Sequence, residues 1–343
     1  MNDASDASAP GSVLVMGAGA IGCFLGASLQ LGGVEVSYVG RPRVLDELRE
    51  HGLRLTDLDG RDRSLRPDQL TSADTVPPHA RPALVLLCVK SGATAEAAAA
   101  LDVAVAAGTP VVSMQNGTSN VAVAHAAAPR LRVLAGMVPF NVAQPGPGHF
   151  HRGTSGALAA QDDPALRPWV AVFAAAGLAL ELHADLRAVQ WAKLLLNLNN
   201  PVNALSGLAL RRQLLDRGLR SCVAALQDEG LAALRAAGIE PARLTPLPPA
   251  WLPGVLRLPT PLFRLVAAKM LRVDAQARSS MADDFARGRP TEIDALCGEV
   301  VRLARAHGTA APLNVRMVDL VQAWPAQPKA YDGTELRRAL GLR

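Results

Sequence analysis

The stretch Val13-Leu14-Val15-Met16-Gly17-Ala18-Gly19-Ala20-Ile21-Gly22 decides the fold class. Four apolar residues suit a buried strand, and Gly17, Gly19 and Gly22 then follow in the spacing G-x-G-x-x-G. In that arrangement Gly17 permits a tight turn, Gly19 lets backbone approach a pyrophosphate, and Gly22 lets the next helix lie close to the sheet. Ala18, Ala20 and Ile21 complete the turn, and the helix start offers N–H groups and a positive dipole end to phosphates.

One motif of this kind is weak, so its context carries the reading. A helix is expected from about Ala20 to Leu31, closed by Gly32-Gly33, with Val34–Val39 as the next strand. That is a β-α-β unit of the length dinucleotide binding requires. An NAD-binding unit would place an Asp or Glu at the end of the second strand, on the ribose 2′-hydroxyl. Here the sequence is Tyr38-Val39-Gly40-Arg41-Pro42-Arg43, without a carboxylate. Arg41, and Arg43 as a second choice, could pair with a 2′-phosphate through the guanidinium fork, which favours NADP. The alternative is an ordinary solvated loop arginine.

Working outward, Gly52 to Leu65 contains Asp59-Gly60 between apolar runs, a hairpin signal at the sheet edge. Leu84–Val89 is a continuous apolar run, as expected of a central parallel strand, and it stops at Lys90-Ser91-Gly92. Such sheets bind ligands at that edge, so Lys90 could reach a cofactor or a substrate carboxylate, or be an ordinary surface lysine. A helix over about 94–106 and the strand Pro110–Met114 lead to Gln115-Asn116-Gly117. Val133–Asn141 and Phe150–Ala159 read as further strands joined by a turn at Pro145–Gly148, extending or flanking the sheet.

After about Leu182 the strand signals stop, and helical patterns occupy roughly 185–204, 212–237, 262–287, 293–307 and 312–324. The Pro-rich stretch 241–261 reads as a rigid connection. The expected organisation is a disordered segment 1–11, a dinucleotide-binding domain 12–184 and a helical substrate and catalytic domain 185–343. The fold class is α/β, a Rossmann-type NADP-binding domain followed by an all-helical one.

Composition limits the function classes. The chain has 343 residues, half of them hydrophobic, and a net charge of only +5. Its basic residues are scattered, which disfavours a nucleic-acid partner. Cys23, Cys88, Cys222 and Cys297 form no C-x-x-C pair, which argues against a metal site or a disulfide framework and for a reducing cytoplasm. Residues 13–34 carry no charge, long enough for a membrane span, but the glycines at 17, 19, 22, 26, 32 and 33 argue against a lipid-facing helix. A soluble protein with no membrane partner is expected, and the sequence leaves a homodimer open. Arginine is the default cation and only Lys90, Lys193, Lys269 and Lys329 are lysines. Each lysine marks a position where a compact, titratable donor could matter.

The second half carries Lys193-Leu-Leu-Leu-Asn197-Leu-Asn199-Asn200-Pro201-Val-Asn203, four of the chain's nine asparagines within seven residues. Asn disfavours helix interiors, so the cluster opposes local propensity. At about 100° per residue, Asn197 and Asn200 flank Lys193 on one face of a continuous helix. A cation and two amides suit an anionic, carbonyl-bearing ligand, or a hydrated face. A second constellation is Ser279-Ser280-Met281-Ala282-Asp283-Asp284 with Thr291-Glu292-Ile293-Asp294. Thr291 with Asp294 also has capping-box spacing, which would make Glu292 a first-turn structural acid.

Together these residues resemble the ketopantoate reductase (2-dehydropantoate 2-reductase) family. The matching positions are Gly17, Gly19, Gly22, Arg41, Lys90, Gln115-Asn116-Gly117, Lys193, Asn197, Ser280–Asp284 and Thr291–Asp294, spread from residue 13 to about 307. The resemblance implies reduction of the 2-keto group of ketopantoate by NADPH, a step in pantothenate biosynthesis. It implies Lys193 as catalytic lysine and Glu292 as active-site acid. Asn197 and Ser280 become substrate contacts, Asn116 a cofactor and active-site asparagine, and Arg41 and Lys90 cofactor contacts. The family commonly places a second asparagine, followed by proline, eight residues after the lysine. Here Asn200-Pro201 begins seven residues after Lys193, so Asn200 is a substrate contact with altered geometry. That departure leaves open another branched 2-oxoacid as substrate. A non-catalytic NADP-binding regulator is a further alternative, disfavoured by Lys193 and Glu292 both being present.

Overall fold

A computed structural model describes residues 10–268 and 277–342. The expected disordered segment 1–11 lies outside the described residues apart from Pro10 and Gly11, as does the part of the expected helix 262–287 from 269 to 276. The chain forms two compact units. One takes the chain through Gln115 and again from Ser119 to Leu186; the other takes Asn116–Thr118 and the chain from Arg187 onward.

The first unit begins β1 (Val13–Met16), α1 (Ala20–Leu31), β2 (Val36–Val39), α2 (Pro42–His51), β3 (Leu53–Asp57), β4 (Asp62–Leu65) and β5 (Thr71–Ala73). It continues β6 (Leu84–Leu87), α3 (Thr94–Ala104), β7 (Pro110–Ser113), α4 (Asn120–Ala127), β8 (Arg132–Met137), β9 (Val142–Gly146) and β10 (His149–Arg152). It closes with β11 (Leu158–Gln161), α5 (Trp169–Ala175) and β12 (Leu180–His183). Eight strands form one sheet in the order β12-β11-β8-β7-β6-β1-β2-β5, parallel except where β11 meets β8. Strand order reverses at β1, the topological switch point where such sheets bind dinucleotides.

The central strands are apolar throughout because alternate residues enter two cores. Val13, Val15, Leu84 and Leu86 join one cluster, while Leu14, Val85 and Leu87 join another with Ala97, Leu101 and Ala124. The helix α1 explains the uncharged run 13–34. It packs on β1 and β2 and also against β3, β9 and β10, so Gly22 through Leu29 are all buried. Among the described residues no helix is long and apolar enough to cross a membrane.

Two strand expectations need correction. The hairpin at 52–65 does not edge the main sheet. It belongs to a separate four-stranded sheet, β4-β3-β10-β9, in which β3 pairs parallel with β10. The apolar face of that sheet (Leu53, Leu55, Leu65, Phe150) is what covers α1. The stretch 133–159 holds four strands rather than two: β8 and β11 extend the main sheet, while β9 and β10 pair antiparallel in the small one.

The second unit is helical. It contains α6 (Arg187–Asn197), α7 (Asn199–Ser206), α8 (Leu210–Leu215), α9 (Arg217–Ala236), α10 (Leu252–Arg257), α11 (Thr260–Val266), α12 (Ser280–Ala286), α13 (Cys297–Ala306), α14 (Pro312–Ala323) and α15 (Gly333–Leu340). The expected helix 185–204 breaks at Leu198, because Pro201 has no N–H for the Asn197 carbonyl one turn back. The expected helix 212–237 breaks at Asp216, whose carboxylate accepts the Leu219 N–H and starts α9 afresh. The tail after Pro325 contributes α15, opened by a capping box of Asp332 with Glu335.

Most of the other helices pack around α9. The Pro-rich stretch is ordered by Arg220 on α9, which is fully buried. Its Nε donates to the Leu256 carbonyl at 2.9 Å, Nη1 to Leu214 at 2.8 Å and Nη2 to Leu258 at 2.8 Å. The guanidinium also lies 4.1 Å from the centroid of the Phe263 ring. We expect Arg220→Leu to destabilise the helical unit by about 3 kcal/mol or more in urea unfolding, because two buried carbonyls and a third, partly buried one lose their donor. A loss under about 1 kcal/mol would show that apolar packing alone holds 252–263.

Candidate active site

In the α/β unit the loops after β1, β2 and β6 leave the same edge of three adjacent parallel strands. In the β1 loop, Gly17 and Ala18 each donate their N–H to the Val39 carbonyl at 2.9 Å. Gly17 has φ +112°, and a Cβ there would sit 2.6 Å from the Val89 nitrogen, so only glycine fits. At Gly22 a Cβ would collide with the Gly17 carbonyl oxygen, which sets how closely α1 lies on the strand. Gly19 is the N-cap of α1, is exposed, and has nothing within 4 Å of where a Cβ would stand. Ala20 and Ile21 form the partly exposed first turn, whose N–H groups have no partner inside the helix. This open cradle fits a pyrophosphate. Arg41 is exposed just beyond β2, as N-cap of α2, and Lys90 is exposed just beyond β6.

The helical unit holds the second group. Lys193 and Asn197 sit one turn apart on α6 and so share a face. Asn197 Nδ2 donates to Asn116 Oδ1 at 3.3 Å, and Asn116 Nδ2 donates to Glu292 Oε2 at 3.1 Å. Asn116 therefore joins two residues that lie 81 and 176 positions away in the chain. Lys193 is partly buried, and desolvation pulls its ammonium down to about 8. A cation that titrates near neutrality, two oriented amides and a carboxylate are thus gathered in one unit.

The other expected site residues fare differently. Asn200 lies past the break at Leu198, on α7 rather than α6. Its backbone carbonyl accepts the Ser279 hydroxyl at 3.2 Å. Ser280 is exposed at the start of α12, while buried Ser279 caps that helix by accepting the Ala282 N–H. The capping box expected at Thr291 does not form. A short 3-10 turn over Ile293–Ala295 starts later, with Glu292 at its N-cap position and no side-chain cap. The remaining asparagines are structural: Asn199 Oδ1 accepts from Gln213 at 3.0 Å, and Asn203 takes the Ser279 N–H and donates to the Leu208 carbonyl. Among the described residues no group of three or more His, Cys, Asp or Glu could hold a metal ion. Burial raises the Cys88 thiol to about 12, so it offers no thiolate near neutral pH.

Comparison with known proteins identifies the family. Residues 13–164 match the family described as ketopantoate reductase PanE/ApbA, and residues 185–324 match its C-terminal domain. The 2-dehydropantoate 2-reductase of Halobacterium salinarum is 31% identical over 327 residues, 90% of this chain and 97% of the relative. The crystal structure of a PanE/ApbA family ketopantoate reductase from Ralstonia eutropha superposes with a TM-score of 0.76 at 30% identity, covering 91% of this chain and 97% of that one. A D-mandelate dehydrogenase solved with NADH and anilino(oxo)acetate shares the fold, with a TM-score of 0.76 over 91% of this chain and 97% of its own at 19% identity. The chain belongs to the ketopantoate reductase family, a family of nicotinamide-dependent oxidoreductases.

Proposed function

We propose that this chain reduces ketopantoate to pantoate with NADPH. In this reading residues 12–184 hold the cofactor, and residues 185–343 supply the substrate and catalytic groups. The observation that carries it is Asn116, hydrogen-bonded to both Asn197 and Glu292 in the unit that also holds Lys193, with its ammonium drawn down to about 8. The Gly17–Gly22 turn, with Ala18, Ala20 and Ile21, takes the pyrophosphate. Arg41 pairs with the 2′-phosphate, and Lys90 and Asn116 contact the rest of the cofactor. The bound nicotinamide supplies a hydride to the C2 keto carbon.

The chain's own residues manage the charge that results. As C2 gains hydride, negative charge builds on its oxygen. Protonated Lys193 stabilises that charge and delivers the proton that completes the 2-hydroxyl. Arginine could stabilise the oxygen but could not release a proton. Asn197, Asn200 and Ser280 bind the substrate's carboxylate and hydroxyls with neutral donors. Glu292 keeps Lys193 charged or accepts a substrate hydroxyl.

Turnover should be followed as NADPH oxidation with a panel of 2-oxoacids. Ketopantoate should be the best substrate; turnover of another acid with ketopantoate inert overturns the substrate assignment, and tight NADPH binding without any turnover favours a regulator. Lys193→Ala should lower kcat by about a hundredfold or more while NADPH affinity stays within about twofold. Because the proton donor is the acid form of a group drawn down to about 8, the reduction rate should hold below that pH and decline above it. A decline only near the ordinary lysine range would exclude this assignment. Arg41→Ala should raise the KM for NADPH by about tenfold or more and leave that for NADH nearly unchanged. Equal weakening of both would rule out a 2′-phosphate contact.

A further inference from the structure

Beneath the carboxyl edge of the main sheet lies a polar relay that is largely buried. Ser113 Oγ donates to Gln115 Oε1 at 2.8 Å, and Gln115 Nε2 donates both to the Val89 carbonyl at 2.9 Å and to Thr94 Oγ1 at 2.7 Å. The Thr94 hydroxyl donates onward to Asn120 Oδ1 at 2.9 Å, and Asn120 Nδ2 donates to Ser91 Oγ at 3.2 Å. Thr94, Ser113, Asn120 and Gln115 are 0%, 2%, 4% and 8% exposed, so water cannot stand in for a lost partner.

The relay has one direction. Thr94 has a single hydroxyl proton, and Asn120 takes it, so Thr94 can only accept from Gln115. That in turn fixes which way the Gln115 amide points. Apolar side chains would fill the same space without burying four polar side chains, whereas a fully satisfied network fixes one geometry. Val89 immediately precedes Lys90, and Gln115 immediately precedes Asn116. One amide thus ties the peptide before one assigned cofactor contact to the peptide before the other.

We propose that Gln115 is a positioning residue for the reaction, holding the Lys90 loop and the entry to Asn116 in one register through Val89 and Thr94. This rests on the function proposed above. The relay touches neither cofactor nor substrate, so its contribution is orientation of the residues that do.

The test uses the full chain with Gln115→Met, Thr94→Val and Thr94→Ser. Gln115→Met removes the amide at nearly constant volume, Thr94→Val removes the hydroxyl, and Thr94→Ser retains it. Gln115→Met should lower kcat and raise the KM for NADPH, each by about tenfold, with the KM for the oxoacid within about twofold of wild type. Thr94→Val should move the same two constants in the same direction, and Thr94→Ser should restore them. The kinetic isotope effect with 4-deuterated NADPH should rise in both impaired variants as hydride transfer becomes slower. A lower Tm with wild-type kinetic constants would overturn the proposal and leave Gln115 merely structural. If Gln115→Met does not fold, Thr94→Val decides by the same criterion. If the wild type turns over no 2-oxoacid, the function proposed above has failed instead. Calorimetric NADPH affinity then decides: weakened binding in Thr94→Val with recovery in Thr94→Ser supports positioning, and wild-type binding in both overturns it.

Discussion

The α/β unit depends on how closely α1 can lie on β1, and that distance is set at Gly22, where any side chain would strike the Gly17 carbonyl. Gly26, one turn further, faces Tyr38 and Val15 under the same constraint, since a Cβ there would stand 2.6 Å from the Tyr38 ring. A helix pressed this tightly onto a sheet exposes its other face to the next layer, and the small sheet of β4, β3, β10 and β9 supplies that layer. The uncharged run from Val13 to Val34 is therefore a helix buried on two sides. The same close approach leaves Gly19 and the first turn of α1 facing open space. Core packing and the open turn at Gly19 are consequences of one contact.

The helical unit meets a different constraint. A stretch with many prolines has few N–H groups with which to satisfy carbonyls locally. Arg220 resolves this from outside the stretch, giving one donor each to Leu256 and Leu258 and a third to Leu214, while its planar face stacks on Phe263. Ordering of the connection through α10 thus depends on a buried cation whose hydrogen-bond partners are three carbonyls and the Thr260 hydroxyl. Glu229 plays the complementary part with opposite sign, accepting the N–H groups of Leu313 and Asn314 at the start of α14.

What could be read from the residues follows the range of the interactions that fix them. The bounds of α1 and the central parallel strands were legible, because a glycine turn and burial on both faces leave continuous apolar runs. The small sheet was not: β3 joins β10 across some ninety residues, and its strands are only four or five residues long, with β4 (Asp62-Arg63-Ser64-Leu65) showing no alternation at all. The breaks at Leu198 and Asp216 lay hidden inside unbroken periodicity, although Pro201 was a readable signal for the first. The asparagine cluster looked like one stripe, yet Asn197 donates to Asn116, while Asn199 and Asn203 hold the helical unit together. Asn116 stood out by its position after a strand; its partners were too distant in sequence to name.

Two desolvated cations in the helical unit, one fully and one partly buried, show why the choice between lysine and arginine matters. Desolvation disfavours the charged form of both Arg220 and Lys193. For a guanidinium the starting value is so high that charge survives at any physiological pH, and a planar fork can engage several fixed acceptors at once. Arg220 accordingly serves as a permanent anchor. For an ammonium the same penalty brings the group to about 8, where it is mostly charged at neutral pH and yet able to part with its proton. In a chain that uses arginine nearly everywhere, the same physical cost yields a structural clamp in one place and a titratable donor in the other, and the side chain alone decides between them.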